Sequence, residues 1–246
     1  MKENTFSAEL AIIGGTGLYQ LDGFEEIERR TLITRWGAPS SEIVLVEYNN
    51  TRVAFLTRHG LQHNIPPHKV NYRANIWALK ELGVKQIISV AAVGGINDAM
   101  PPETIVIPDQ IIDYTYSRKH TYFEDELEVV QHIDFTEPYS DALRSRLLNV
   151  SDDLIDGATY AATQGPRLET AAEIQRLKRD GADIVGMTGM PEASLARELE
   201  IDYACCALVV NWAAGCAGTT KIEHPQMLKI VNKGMLRVKS VLQELI

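Results

Sequence analysis

The chain has 246 residues, 45% of them hydrophobic, and a formal net charge of -9 at pH 7. This length and composition suffice for a sizeable core, and we predict one domain spanning residues 1–246. The acidic balance, with lysines and arginines scattered along the chain, argues against nucleic acid or an anionic membrane as partner and favours a small molecule.

The amino-terminal part of the chain leads into a first apolar run at residues 9–14. This run is far too short to span a bilayer or to resemble a signal peptide. We therefore expect a cytoplasmic protein that does not enter a membrane.

Short apolar runs then alternate with helical patterns, which is typical of a sheet covered by helices on both faces. Seven runs are predicted strands of a buried sheet: residues 9–14, 53–58, 86–92, 104–108, 158–163, 183–187 and 203–210. Predicted helices cover residues 70–82, opened by Asn71, 168–180, ended by Gly181, Pro191 to about Leu199, and 226–245. We predict a three-layer α/β/α fold around a twisted sheet that is mostly parallel or mixed.

The stretch from Asp113 to Thr136 departs from this pattern. Its apolar periodicity fades, and aromatic, charged and histidine residues take over. Such a stretch is usually a loop, a lid or an interface, and we interpret it in that way.

Three cysteines occur in the second half of the chain. Cys205 and Cys206 are neighbours in a predicted strand, so their side chains point to opposite faces, and Cys216 has no obvious partner. We interpret all three as structural thiols in a reducing compartment.

A glycine cluster, I-I-G-G-T-G-L at residues 12–18, follows the first predicted strand. A dinucleotide fingerprint would need a third glycine where Gln20 stands, and a Walker loop would need Gly-Lys-Ser/Thr. The cluster instead predicts a turn whose backbone N–H groups, with the Thr16 hydroxyl at its centre, suit a phosphate or carboxylate oxygen. A plain glycine-rich turn is the alternative.

Groups suited to an anion follow three further predicted strands. T-R-H-G at residues 57–60 supplies the planar donor fork of Arg58 and a second donor, His59. A-A-V-G-G at residues 91–95 exposes backbone N–H groups, and M-T-G at residues 187–189 supplies the Thr188 hydroxyl. Open α/β sheets bind ligands at the carboxyl ends of their strands, so four such ends predict one phosphate pocket. A solvated arginine beside a capping histidine is the alternative for either residue alone.

Metal and covalent chemistry find less support in the sequence. His59, His63 and His68 lie close together, but Pro66 and Pro67 break any helical face and no carboxylate or thiol ligand is nearby, so we expect no metal. No G-x-S-x-G elbow is present, and the two adjacent cysteines have no neighbouring histidine. We therefore expect no nucleophilic side chain.

Several ordered blocks carry a resemblance to a known family: I-I-G-G-T-G-L, T-R-H-G, V-N-Y-R-A-N-I-W-A-L, V-G-G-I, T-Q-G-P-R-L-E-T-A-A-E-I and G-M-T-G-M-P-E-A-S-L-A-R-E-L. From about Ala11 to Asn211 the chain resembles the trimeric purine nucleoside phosphorylase and methylthioadenosine phosphorylase family, most closely its S-methyl-5'-thioinosine phosphorylases. The resemblance implies a purine nucleoside phosphorylase-like α/β fold and a pentosyltransferase of purine salvage. It also implies a homotrimer with active sites near subunit boundaries, no metal or organic cofactor, and inorganic phosphate as co-substrate.

The resemblance further implies how phosphate and ribose are held. Residues at the four strand ends would contact phosphate: Thr16, Arg58, His59, Ala91, Ala92 and Thr188. Most members that favour methylthioadenosine have a threonine where Ala91 stands, and Met187 would lie along the ribose. Phosphate would attack the anomeric carbon through an oxocarbenium-like state while the purine leaves as a partial anion. The protein would orient both reactants and stabilise charge on the departing base.

Two residues bear on which purine leaves, Glu169 and Asn211. The N1–H of a 6-oxopurine can donate to an ionised Glu169, whereas N1 of adenine is an acceptor and would face that carboxylate. Asn211 can donate to O6 or N7. Adenine-selective relatives carry aspartates at the positions of Asn211 and Ala213 and a smaller polar residue at that of Glu169. We expect a hypoxanthine-type base, with Glu169, Asn211 and His59 as catalytic residues; a first-turn helix residue is the alternative for Glu169.

The 5' substituent would lie near the start of the last helix. A histidine at the position of His224 resembles the ordinary nucleoside phosphorylases, and its ring can hydrogen-bond a 5'-hydroxyl. Alternatively its ring lies in solvent, and Met227 and Leu228 line a methylthio pocket. His132 matches a position that the family supplies from the neighbouring subunit. The remaining predicted substrate contacts are Leu168, Trp212 and Ala213.

These expectations favour phosphorolysis of S-methyl-5'-thioinosine to hypoxanthine and 5-methylthioribose 1-phosphate. Within the family, the alternatives are phosphorolysis of methylthioadenosine and of inosine or guanosine. A nucleosidase that uses water is a third alternative, which would need a carboxylate base near Arg58. A nucleoside-binding protein without catalytic activity is the fourth.

Overall fold

An eleven-stranded mixed sheet forms the centre of the part of the chain that this computed structural model describes, residues 6–124 and 129–246. Its strands are β1 (Leu10–Gly14), β2 (Glu25–Arg30), β3 (Ile43–Tyr48), β4 (Thr51–Thr57), β5 (Gln86–Gly95), β6 (Ile105–Ile107), β7 (Gln110–Asp113), β8 (Ile155–Asp156), β9 (Thr159–Ala162), β10 (Ile184–Gly186) and β11 (Asp202–Trp212). The helices are α1 (Tyr72–Glu81), α2 (Asp141–Leu148), α3 (Ala171–Arg179), α4 (Gly189–Glu198) and α5 (His224–Leu245). All the predicted strands and helices are confirmed, with ends that differ by at most three residues.

Strand β5 is shared by two halves of the sheet. The first part of one edge, Gln86 to Ser89, pairs in parallel with β1, beyond which the order continues through β4, β3 and β2. The last part of the same edge, Gly94 and Gly95, pairs antiparallel with β10, which is followed by β9 and β7. The other edge pairs with β11 over its whole length. The sheet therefore parts between β1 and β10, beside the middle of β5.

Helices cover both faces of this sheet. On β11, Cys205 and Val209 face the core that contains α1 and α4, whereas Cys206 and Leu208 face the core that contains α2 and α5. The predicted α/β/α layers and the opposite orientation of the two adjacent cysteines are confirmed, and all three cysteines are buried free thiols. No helix in the described residues combines the length and apolar character that crossing a membrane requires.

Side chains cap the amino-terminal ends of α1 and α3. Asn71 caps α1 by accepting a hydrogen bond from the backbone N–H of Ala74, and Thr170 caps α3 in a reciprocal capping box with Glu173. Because Thr170 is the cap, Glu169 lies outside the helix, and the alternative that made it a first-turn residue is wrong.

Sequence patterns missed four strands, β2, β3, β7 and β8, and helix α2. Strand β2 reads E-E-I-E-R-R and lies exposed at a sheet edge, so its charged residues carry no apolar alternation. Between β7 and α2, described residues 114–124 and 129–140 form no helix or strand. Residues 125–128, which belong to the predicted irregular stretch, lie outside the described residues.

Candidate active site

A cavity of about 570 Å³ opens where the sheet parts, at the carboxyl ends of β1, β4 and β10 and beside the middle of β5. Its volume is that of a small-molecule site. Twelve of the fourteen predicted site residues line it: Thr16, Arg58, His59, Ala91, Ala92, Leu168, Glu169, Met187, Thr188, Asn211, Ala213 and His224. The three predicted strand ends after β1, β4 and β10 therefore meet at one cavity, together with Ala91 and Ala92, which lie within β5 and not after it as predicted. The role of each residue toward a ligand remains a prediction.

Two predicted site residues lie elsewhere in this chain. Trp212 packs beside Ile174 and Leu177 of α3 rather than against the cavity. Side chains alternate along a strand, so Asn211 and Ala213 reach the cavity and Trp212 between them does not line it in this chain. Its substrate contact remains a prediction that the cavity lining does not support. His132 is exposed on the surface of this chain, and its predicted contact with a neighbouring subunit remains a prediction.

The glycine cluster forms a tight turn after β1, closed by a hydrogen bond from the Leu18 N–H to the Gly15 carbonyl. Gly17 has a φ of 87°, a left-handed conformation that favours glycine. A Cβ on Gly15 would lie 2.4 Å from the Val90 carbonyl oxygen of β5. Only bare backbone fits there, and the turn brings Thr16 to the cavity wall.

Arg58 is fully buried, and its guanidinium is largely occupied by protein groups. Nε and Nη2 donate to the two carboxylate oxygens of Glu192, each at 2.7 Å. Nη2 also donates to Ser89 Oγ at 2.6 Å, and Nη1 donates to the Val90 carbonyl at 3.0 Å. The fork therefore holds Glu192 and leaves one Nη1 proton for a ligand, and the contact of Arg58 with phosphate remains a prediction.

The Arg58–Glu192 ion pair is closed to solvent, with both side chains completely buried. Burial alone would lower the pKa of Arg58, but the Glu192 charge and its hydrogen bonds raise that pKa above its ordinary value. Glu192 also accepts a hydrogen bond from the Tyr203 hydroxyl at 2.8 Å. With both oxygens occupied and no place on the cavity wall, this carboxylate cannot activate a water as a nucleosidase base would.

His59 reaches the cavity with a defined tautomer. Its Nδ1 lies 2.8 Å from the carbonyl oxygen of Ile65. A carbonyl only accepts, so Nδ1 carries the ring proton and Nε2 is an acceptor. Burial, and next the Arg58 charge, lower the pKa of His59 to about 4, which leaves the ring neutral near pH 7. In this tautomer His59 offers the cavity an acceptor and not the predicted donor, and its contact with phosphate remains a prediction.

The polar groups of the predicted purine end are Glu169 and Asn211. Thr163 Oγ1 donates to Glu169 Oε1 at 2.6 Å, which fixes the carboxylate and leaves Oε2 for a ligand. Asn211 Nδ2 donates one proton to the Trp212 carbonyl at 2.8 Å, which leaves one N–H and Oδ1. The site therefore combines an acceptor and an amide that can both donate and accept.

The part of the cavity wall formed at the start of α5 is mainly apolar. Ile222, Met227, Leu228 and Val231, in and just before the first turns of α5, line the wall there together with His224. His224 is the first residue of α5 and is exposed. Both predicted partners of a 5' substituent, the imidazole and the apolar side chains, are thus at the same wall.

Glu192 and Thr163 do not line the cavity but hold residues that do, Arg58 and Glu169, and the sequence patterns missed both. The only sequence signal for Glu192 is a carboxylate between otherwise buried small and apolar residues of α4. Thr163 directly follows a buried strand, which is the position where the other ligand groups occur. Within the described residues, no group of three or more histidine, cysteine, aspartate or glutamate side chains is placed to hold a metal.

Comparisons with known proteins agree with this geometry. A sequence profile described as Phosphorylase superfamily matches residues 9–246. A protein of Pseudomonas syringae pv. tomato, named Probable S-methyl-5'-thioinosine phosphorylase, is 54% identical over 236 residues, which cover 94% of this chain and 96% of that protein. The 6-oxopurine nucleoside phosphorylase of Pyrococcus furiosus is 46% identical over 233 residues, which cover 91% of this chain and 86% of that protein.

The same fold occurs in methylthioadenosine phosphorylase from Schistosoma mansoni in complex with adenine. The two structures superpose with a TM-score of 0.91 at 29% identity, and the match covers 97% of this chain and 91% of that one. These matches confirm the family resemblance that the sequence blocks carry.

Replacing Glu192 with glutamine tests the buried ion pair. The Glu192→Gln change leaves the Arg58 charge buried without its counter-charge, so we expect the free energy of unfolding to fall by about 3–5 kcal/mol. Urea unfolding measures this loss. The matched control is Glu26→Gln. Glu26 also accepts two hydrogen bonds from one arginine, Arg29, but both side chains of that pair are 47% exposed. Equal effects of the two substitutions would contradict our account of the pair.

Replacing His59 with glutamine tests the tautomer and its pH dependence. The folded-state pKa of about 4 lies below the ordinary value of 6.5, so the unfolded chain binds more protons between these values. Wild-type stability must therefore fall as the pH drops from about 6.5 to about 4. His59→Gln lacks this contribution, and we expect its urea-unfolding free energy to decline less over the same range. Identical declines would show that His59 is not held neutral.

Proposed function

Because the chain belongs to the phosphorylase superfamily, we propose that it cleaves S-methyl-5'-thioinosine with inorganic phosphate, giving hypoxanthine and 5-methylthioribose 1-phosphate. It is a nucleoside phosphorylase, a pentosyltransferase. The observation that carries the proposal is the single cavity, in which anion-binding strand ends adjoin a fixed carboxylate at one side and an apolar wall at another.

Phosphate suits the strand ends because it can both accept and donate hydrogen bonds there. Thr16, Thr188 and the remaining Arg58 Nη1 proton donate to its oxygens. Neutral His59 accepts from a P–OH group through Nε2, which suits the protonated forms of phosphate present near pH 7. These contacts hold a phosphate oxygen toward the anomeric carbon of a nucleoside in the same cavity.

The purine end favours a 6-oxopurine. Thr163 holds one oxygen of Glu169, so the other can accept the N1–H of hypoxanthine. The free amide groups of Asn211 can pair with O6 or N7, where negative charge develops as the base leaves. Adenine presents an acceptor at N1 and would face the carboxylate without a proton between them.

The apolar wall favours a methylthio group at the 5' carbon. Ile222, Met227 and Leu228 offer no hydrogen-bond partner for a 5'-hydroxyl and provide contact for a thioether. His224 lies at the same wall and can hydrogen-bond a 5'-hydroxyl, so inosine or guanosine is the alternative substrate. The named relatives divide in the same way, since one carries the name of a methylthioinosine enzyme and another that of a 6-oxopurine nucleoside enzyme.

The proposal includes the wider setting of the reaction. Phosphate is a co-substrate, and we propose that no metal or organic cofactor takes part. We also propose a homotrimer in which His132 reaches the cavity of a neighbouring subunit, and a cytoplasmic enzyme of purine and methylthionucleoside salvage. Three free thiols suit such a reducing compartment.

Purine release from methylthioinosine, methylthioadenosine and inosine, measured with and without phosphate, tests the function. We expect release to require phosphate and kcat/KM to be highest for methylthioinosine. Release in phosphate-free buffer would identify a nucleosidase, and binding without turnover would identify a binding protein. A preference for methylthioadenosine would overturn the assignment of the purine.

Substituting Glu169 by glutamine tests purine selection. Glutamine carries an NH₂ group that can donate to N1 of adenine, so we expect kcat/KM for methylthioinosine to fall at least about 10-fold and the preference over methylthioadenosine to shrink. Parallel kinetics on both nucleosides measure the ratio. Glu25→Gln, on exposed strand β2, is the control and should leave it unchanged. An unaltered ratio in Glu169→Gln would remove Glu169 from the purine site.

A further inference from the structure

Arg118 is a buried cation in the irregular stretch that follows β7. Only 8% of its surface is exposed, and no carboxylate of the described residues forms an ion pair with it. Its stretch is anchored by Thr121 and Tyr122, which both donate hydrogen bonds to Glu198 of α4. A buried guanidinium without a counter-charge is costly unless its donors are satisfied, so its partners reveal what it does.

The partners of Arg118 are mostly backbone carbonyls that follow two strands. Nη1 donates to the carbonyl oxygens of Met187 at 2.8 Å and Met190 at 2.6 Å, and also to the Tyr72 hydroxyl at 3.2 Å. Nη2 donates to the carbonyl oxygens of Thr163 at 3.1 Å and Gln164 at 2.9 Å, and Nε donates to the Gln164 side chain at 3.1 Å. One guanidinium therefore joins the chain after β9 to the chain after β10.

The segments that Arg118 joins have little other pairing. Strands β9 and β10 pair over three residues each, and beyond them one backbone hydrogen bond, from the Thr163 N–H to the Gly186 carbonyl, continues the ladder. Met187 and Thr188 lie on one of these segments and line the cavity. Thr163, on the other segment, holds the carboxylate of Glu169.

The charges of the two buried arginines are also balanced differently. The charge of Arg58 is cancelled by Glu192, whereas that of Arg118 is met by the negative ends of peptide dipoles. Arg118 therefore keeps a net positive charge next to the Met187–Thr188 peptide. Such a charge favours an anion at Thr188, because buried charges are weakly screened.

We propose that Arg118 is a positioning residue of the phosphorolysis proposed above. It sets the spacing between Thr188, which donates to phosphate, and Glu169, which accepts from the purine, by holding the backbone on which both depend. It touches neither reactant. This inference rests on the proposed function, since phosphate and purine define the two groups whose distance matters.

Kinetics of Arg118→Lys and Arg118→Met test the proposal. Lysine keeps the charge but lacks the planar fork that spans both segments, and methionine lacks both. We expect Arg118→Met to raise the KM for phosphate and for the nucleoside and to lower kcat/KM by about 100-fold, as misplaced reactants do. Arg118→Lys should retain part of the phosphate affinity but not the nucleoside affinity.

The matched control is Arg144→Met. Arg144 of α2 also donates to backbone carbonyls, those of Ile107 and Pro108, and it does not line the cavity. A purely structural role would lower the melting temperature and the amount of active enzyme in both variants while both KM values stayed at the wild-type level. That result for Arg118→Met would overturn the proposal.

Two measurements keep the test decisive if a variant folds poorly or the wild type lacks turnover. Arg118→Ala leaves space for a small cation, and methylguanidinium, but not methylammonium, should restore KM values toward wild type. Wild-type turnover is measured first, so its absence counts against the proposed function alone. Calorimetric binding of phosphate and of hypoxanthine to wild type and Arg118→Lys then tests Arg118 by itself, and equal affinities would overturn its role.

Discussion

The ion pair between Arg58 and Glu192 is the constraint on which the rest of the site depends. Arg58 follows β4, Glu192 belongs to α4, and their remaining partners come from β5 and β11, so one buried contact ties four elements together. Such a pair is expensive to bury unless its hydrogen-bonding groups are satisfied, and here both Glu192 oxygens and all but one of the Arg58 protons are. The pair also fixes what Arg58 can offer the cavity. A side chain that looks from the sequence like a free anion clamp is mostly a structural tie with one donor to spare.

The parts of the site that the sequence predicts are those fixed by local pattern. Buried strands show as apolar runs, and the groups after β1 and β4 meet because these parallel strands end at the same edge. The group after β10 joins them because β10 runs antiparallel to β5 and ends beside its middle. The sequence cannot show partners set by tertiary contact. Glu192 lies 134 positions from Arg58, and the tautomer of His59 depends on the carbonyl of Ile65. The place of Trp212 depends on strand parity near a bulge between Val209 and Asn211, which no composition reveals.

The fold alone does not determine which purine is bound. The adenine-bound Schistosoma mansoni structure and this chain share almost the whole fold at 29% identity. Under the proposed function, the purine is selected by Glu169 and Asn211, and the groups that these side chains leave free for a ligand are set by Thr163 and the Trp212 carbonyl. The irregular stretch adds Arg118 to this arrangement, although its sequence shows no periodicity that would place it near the cavity.

The parted sheet has a consequence for the backbone of β5. Between Ser89, the last residue paired with β1, and Gly94, the first paired with β10, the edge that faces the gap has no neighbouring strand in the described residues. The Val90 carbonyl is met there by Arg58, and the peptide groups of Ala91 and Ala92 border the cavity. Under the proposed function, a bound phosphate occupies this gap in place of a neighbouring strand. Because backbone peptide groups would bind the phosphate, its binding would not depend on which side chains stand at those two positions, provided that they leave room for the ligand.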